Sequence, residues 1–165
     1  MYCLKYCVLV AGLLNFTATA CQLGDTGAMP TLPISEKLCR HQGEGFWTFA
    51  LYSEAVEVPS IAGGGNAGYS AASSYQIYDN TCTLRGRFNT RAKDCDIPFV
   101  IEANYLQQVL TIQSQDTMVG GGYFRFAYGN GLFSIGNNGC QCQDMSHGLT
   151  AAEGCGCAFP VNGVL

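Results

Sequence analysis

From Phe46 onward, apolar and polar residues alternate with a period of two, the pattern of a strand that buries one face. In FWTFALYSEAVEV, Trp47, Phe49 and Leu51 share one face, and Thr48 and Ala50 the other. The alternation returns in SYQIYD and in CTLRGRF, where Cys82, Leu84 and Phe88 take one face and Arg85 and Arg87 the wet one. In IPFVIEANY, Phe99, Ile101 and Ala103 point together, with Glu102 and Asn104 outward. YLQQVLTIQ is ambiguous in period, and its Thr111-Ile112 tilts it to strand. GGYFRFAYGNGLFSIG predicts a hairpin with Phe124, Phe126 and Tyr128 inward, Arg125 outward and a Gly-Asn-Gly turn.

About six to nine short strands follow from this pattern, with no long amphipathic helix. Such a chain is all-β and closes as a small barrel or sandwich, with at most one or two short helical turns. One turn is placed in ISEKLCRHQ, with Ser35 as its cap. CQLGDTGAMPTLP (21–33) predicts a loose arm, and SIAGGGNAGYSAASS (60–74) a long Gly/Ala/Ser loop with little to pack.

The two termini add chemistry to this frame. MYCLKYCVLVAGLLNFTATA has one Lys5, an apolar run from Cys7 to Leu14 and a small-x-small site at Ala18-Thr19-Ala20. That layout predicts a secretory signal peptide over residues 1–20. It leaves one extracellular domain over residues 21–165, with an N-terminal arm (21–38) and a core (39–165). Eight of the ten cysteines lie in the mature part: Cys21, Cys39, Cys82, Cys95, Cys140, Cys142, Cys155 and Cys157. An even count in an exported chain predicts disulfides.

At the C-terminal end, CQCQDMSHGLTAAEGCGC sets two Cys-x-Cys pairs around His147. Zinc thiolates are usually spaced by two to four residues, and redox relays use Cys-x-x-Cys at a helix start. In Cys-x-Cys on a strand, both side chains share a face. Two antiparallel segments are then joined by two rungs, either Cys140–Cys157 with Cys142–Cys155 or the crossed pairing, and the sequence does not choose between them. The staple prevails over a metal, and neither metal nor cofactor is expected.

Charged residues make up only 12% of the chain, against roughly 25% in ordinary domains. The net charge is −4, and more negative once Lys5 leaves with the leader. Arg85, Arg87, Arg91 and Lys93 form one local cluster beside Asp94 and Asp96, not a basic stripe, so nucleic acid is not an expected partner. The mature chain offers no membrane span. Residue types permit a ribonuclease-like set of His41, Glu44, Arg85 and His147, whose local spacing matches no known pattern, and a glycosidase-like pair, Glu54 and Glu57, more simply read as the outward residues of a strand end. A solvated loop is the plainer role for His147. Arg85 and Arg87 would otherwise hold an anionic partner.

In order and rough spacing, the chain from Cys39 to Cys157 resembles the Alternaria major-allergen family of fungal secreted β-barrels. The resemblance runs through CRHQGEGFWTFALYSE, YQIYDNTCTLRGRFNTRAKDC, IPFVIEANYLQQVLTIQ and GYFRFAYGNGLFSIGNNGCQC. It implies a Cys82–Cys95 disulfide, a second bond within the C-terminal set, and a protomer-linking role for Cys39. The additional Cys21 offers Cys39 an internal partner instead, Cys21–Cys39, so a homodimer and an internal bond stand as alternatives. The resemblance further implies a non-enzymatic effector, elicitor or allergen that binds a host extracellular protein or a small apolar ligand. Tyr69, Tyr75 and Tyr128, aromatics near Gly-rich loops, are the expected contacts. A carbohydrate-binding module, with Trp47 as a flat platform, is a further alternative.

Overall fold

The computed structural model describes residues 20–26, 36–59, 66–91 and 95–165. The leader up to Thr19, the Ser35 cap and the Lys93-Asp94 stretch fall outside them, as does the side chain of Tyr69. Among these residues ten strands, more than the six to nine expected, run in chain order: β1 Cys21–Gln22, β2 Phe46–Pro59, β3 Asn66–Tyr78, β4 Leu84–Asn89, β5 Phe99–Ile101, β6 Leu110–Asp116, β7 Tyr123–Tyr128, β8 Gly131–Ser134, β9 Gln141–Asp144 and β10 Thr150–Pro160. One 3-10 turn, Glu36–Leu38, lies in the segment where the sequence placed it. The strands form two five-stranded sheets, ordered β1-β5-β6-β7-β8 and β4-β3-β2-β10-β9. The fold is an all-β sandwich carrying four disulfides. Four bridges in a chain this small point to the oxidising surroundings of exported proteins.

Aromatic side chains fill the space between the sheets. Phe49 stacks on Tyr75 at 5.0 Å and meets Phe126 edge-on at 4.9 Å; Phe126 stacks on Phe133 at 4.9 Å; Tyr128 meets Phe159 at 4.7 Å. Each such ring, fully buried, contributes roughly 1.5–3 kcal/mol. The period-two reading of β2 and β7 places these rings inward as observed. The outer face of the second sheet is covered too. There Leu38, Ala50, Tyr52, Tyr78 and Ala152 form a second cluster, and Thr48 is also buried.

Three expectations change. Residues 66–74 are strand, not loop: β3 pairs with β2 from Asn66 opposite Pro59 to Tyr78 opposite Thr48. Small residues supply no hydrophobic period, but the ladder to a 14-residue partner fixes their backbone all the same. Residues 21–26 are not a loose arm, because they bond to both sheets. Leu23 N donates to the Val100 carbonyl (2.7 Å), and Thr26 N to that of Arg87 (2.8 Å).

The third change is the disulfide map. Cys21 pairs with Cys95 and Cys39 with Cys82, replacing the expected Cys82–Cys95 and Cys21–Cys39. Strand β4 lies between Cys82 and Cys95 and spans roughly 20 Å, whereas bridged Cα atoms sit within about 7 Å. The 3-10 turn packs Leu38 beside Tyr78 and so delivers Cys39 to the β3–β4 turn that carries Cys82. Cys39 is thus engaged within its own chain, not in a link between protomers. At the C-terminal end the ladder pairing is found, Cys140–Cys157 and Cys142–Cys155, with Cys142 directly opposite Cys155.

Candidate functional site

The ribonuclease-like set is not brought together. His41 lies at the β3–β4 turn, with Nε2 2.9 Å from Cys82 Sγ. His147 lies in the β9–β10 loop, bridged to Thr150. Thr150 stands opposite Val56 on β2, while Tyr78, at the start of the β3–β4 turn, stands opposite Thr48. The β2 segment from Thr48 to Val56 measures ~27 Å. The two histidines therefore occupy opposite ends of one sheet. Glu44 is exposed in the turn before β2.

The expected aromatic contacts belong to the core. Tyr75 and Tyr128 are fully buried. Tyr75 donates its hydroxyl to Gln115, and burial raises it well above the usual tyrosine range. Tyr128 donates to the Val161 carbonyl at 2.8 Å and accepts from the backbone N–H groups of Gln107 and Gln108.

The arginines separate. Ile77 pairs with Gly86 and Tyr78 with Leu84, so Arg85 is the extra residue of a bulge. This puts Leu84 and Phe88 on opposite faces rather than one: Leu84 joins the outer cluster and Phe88 the core. Arg87 follows onto the outer face opposite Gln76, and both are buried, because that face is covered rather than wet. Arg85 remains exposed, 5.9 Å from the ring centroids of both Trp47 and Tyr105. It also pairs with Asp79 at 3.7 Å. Burial pulls the Asp79 carboxyl upward, but hydrogen bonds from Thr81 and Thr83 and the charge of Arg85 outweigh it and hold the group below its ordinary value. Tyr105 is pushed up to about 12 by burial and by Asp25, against the opposing charge of Arg85. Trp47 is half-buried, with this guanidinium 5.9 Å from its ring centroid, rather than a fully exposed flat platform.

A rigid pair of loops forms at the other end, where β10 starts. Glu153 on β10 stands directly opposite Asp144 on β9, on the face that carries the Cys142–Cys155 bridge. Glu153 Oε2 accepts from the backbone N–H of Gly120 (2.9 Å) and of Gly122 (2.8 Å) in the β6–β7 loop. Two converging N–H groups make a small anion nest, here filled by the protein's own carboxylate. A Cβ on Gly122 would lie 2.7 Å from that oxygen and 2.9 Å from Cys155 Sγ, so only glycine fits. The β9–β10 loop is held from within. Ser146 N donates to Asp144 Oδ1 (2.8 Å), Ala152 N donates to Ser146 Oγ (3.0 Å), and His147 and Thr150 exchange backbone bonds at 2.9 Å. The side-chain and backbone bonds from Ser146 hold the Asp144 carboxyl below its ordinary range.

Between the two loops lies a cavity of about 240 Å³, lined by Val119, Gly120, Asp144, Ser146, Ala152 and Glu153. Each loop also exposes one large apolar side chain, Met118 (71%) on one and Leu149 (74%) on the other. Among the described residues no cation forms an ion pair with Asp144 or Glu153. The sequence reading passed over Met118, Leu149, Glu153 and the Gly120–Gly122 run. Its one pointer to this end is the segment between the two Cys-x-Cys pairs. A second, polar groove beside β4 has cavities of about 480 and 380 Å³ that share Asn89 and Arg91.

Among the described residues two groups of side chains have metal-ligand chemistry, Cys39/His41/Cys82 and Cys142/Glu153/Cys155, but each contains a disulfide and presents no thiolate in this state. No helix among the described residues is long and apolar enough to cross a membrane. No protein-family model matches the chain, and no curated protein or solved structure is significantly similar to it.

Proposed function

We propose that this is a secreted, non-catalytic recognition protein of the effector, elicitor or allergen kind, and that it binds a host extracellular protein through the end formed by the β6–β7 and β9–β10 loops. One observation carries the reading. Two loops from different sheets are joined by the Glu153 hydrogen bonds, while the Cys142–Cys155 bridge braces β9 against β10 beside them, and each loop presents one exposed apolar anchor beside an acidic pocket. Loops on a rigid scaffold are where binding residues concentrate, and pre-ordered anchors lose little entropy on association. Asp144 and Glu153 are like charges set opposite each other, an arrangement that costs stability by itself. A basic side chain of the partner, flanked by apolar contacts, complements both features. The small-ligand version has less support, because the space between the sheets is filled by rings.

The test is capture of partners from host extracellular fluid by the immobilised oxidised protein and by a Met118→Glu/Leu149→Glu double variant. The double variant is expected to lose at least about tenfold in retention, the 1.4 kcal/mol of a modest anchor, with an unchanged melting temperature. A partner retained equally by both proteins, or no saturable partner at all, would sink the proposal.

A further inference from the structure

A different site emerges at the opposite end of the second sheet, around the Cys39–Cys82 bridge. Both of its sulfurs belong to half-buried residues, as do those of Cys21–Cys95, but Cys21 and Cys95 pack against the core, where Cys140, Cys155 and Cys157 are buried, and Cys39 packs against the outer cluster instead. It is also the one bridge among the described residues whose sulfur touches a histidine: exposed His41 Nε2 lies 2.9 Å from Cys82 Sγ. Cys82 sits in the left-handed region (φ 62°), a conformation that side-chain-bearing residues seldom adopt and that points to a local constraint. The two sulfurs and the imidazole nitrogen all lie within 4.8 Å of one another.

We propose that Cys39, Cys82 and His41 form a redox-gated site for a thiophilic cation of the Zn²⁺ class, closed while the bridge is intact and open once it is reduced. The reductant is a small-molecule monothiol. Its thiolate attacks Cys39 Sγ, the Cys39–Cys82 bond breaks, and Cys82 leaves as a thiolate beside His41. A second monothiol attacks the mixed disulfide, releasing Cys39 and the small-molecule disulfide. The protein bridge gains two electrons and the two monothiols lose them. Two cysteine sulfurs and the imidazole then bind one cation, and two thiol protons go to solvent.

The geometry suits this ligand set. In a tetrahedral zinc site thiolates bind at about 2.3 Å and imidazole at about 2.0–2.1 Å, which keeps the donor atoms within roughly 4 Å of one another. The Cα atoms of Cys39 and Cys82 are 5.5 Å apart and their backbones are held independently. Leu38 is anchored in the outer cluster, and the β3–β4 turn is fixed by Asp79, whose Oδ1 accepts from Thr81 N and Thr83 N at 2.9 Å each. Reduction therefore frees the sulfurs without dispersing them. Exposed His41 leaves the fourth position open to water or an external ligand.

The experiment treats the oxidised protein with increasing glutathione, traps free thiols by alkylation and locates them by mass spectrometry. A parallel sample is titrated with Co²⁺ and read by its thiolate-to-cobalt and d–d absorption. Cys39 and Cys82 are expected to be alkylated first. One Co²⁺ per chain should bind only after reduction, be displaced by Zn²⁺, and bind more than roughly 10-fold more weakly in His41→Ala. Because His41 is exposed and its variant keeps the bridge, loss of fold does not confuse the result. Opening of another bridge first, cobalt binding unaffected by His41→Ala, or no cobalt uptake by the reduced chain would each overturn the proposal.

Discussion

Gly156 sits on the outer face of β10, where a Cβ would lie 2.8 Å from the Leu38 carbonyl oxygen, and at Gly154 a Cβ would run into Leu38 and Met145 side chains. The Gly-Cys-Gly-Cys run is thus two faces of one strand. Cysteines turn inward to the core, and glycines turn outward to let the Glu36–Leu38 turn lie flat on the sheet. A methyl at Gly156 meets backbone, which yields less readily than a side-chain tip. Gly156→Ala is expected to destabilise the fold by about 1–3 kcal/mol in chemical denaturation. Gly154→Ala, against the movable ends of Leu38 and Met145, should cost less. Negligible losses at both positions would show that the turn does not bear on the sheet. The cysteines of this run could be read in advance because their shared face follows from a period of two. The glycines could not, since nothing in the sequence says what lies above them. Arg87 escaped for a related reason: an alternating arginine signals the second face of a strand, not whether that face is wet.

At the scale of elements, the β9–β10 pair depends on its two rungs. Strand β9 is 4 residues long and lies at the sheet edge, so its own ladder to β10 is short. The Cys142–Cys155 bridge closes a loop of separation 13 and touches Gly122 of the opposite sheet, whose carbonyl oxygen is 3.3 Å from Cys142 Sγ. Replacing both cysteines by alanine is expected to cost about 2–4 kcal/mol. The loss should be local: amide exchange accelerates in residues 141–153 and in the Gly120–Gly122 loop, while β6 and β7 keep their protection. Uniform acceleration across both sheets would mean that the rung secures the whole sandwich instead. Strands β2, β7 and β8 were legible because their aromatic alternation has no helical counterpart. The Asn66–Ser74 part of β3 was not, because glycine, alanine and serine carry no such period and only pairing with β2 extends them. The clamp at Glu153 was equally hidden, since a single acid in AAEGC becomes a nest ligand only when a loop from the other sheet reaches it.

For the molecule as a whole, the question is whether the space between the sheets is a container or a solid. Barrels that carry apolar ligands keep an internal cavity of about 300–1,000 Å³ lined by apolar side chains. Here ring meets ring across that space, from Phe49 through Phe124 and Phe126 to Phe133 and Phe159, and all five are essentially inaccessible to solvent. The cavities of about 480, 380 and 240 Å³ lie elsewhere, lined by small and polar residues such as Ser73, Asn89, Thr90 and Asp144. Segment Cys21–Thr26 is bonded to both sheets, at Val100 and at Arg87, and is tied down by Cys21–Cys95. Opening the interior would separate stacked rings, at roughly 0.5–1.5 kcal/mol per pair beyond their burial. The oxidised protein is therefore expected to leave the fluorescence of an apolar probe such as ANS unchanged at neutral pH. Enhancement should appear only when acid or denaturant loosens the packing. Stoichiometric, saturable probe binding by the native protein, displaced by a flavonoid or fatty acid, would instead establish an internal apolar site and shift the function from surface recognition to ligand carriage.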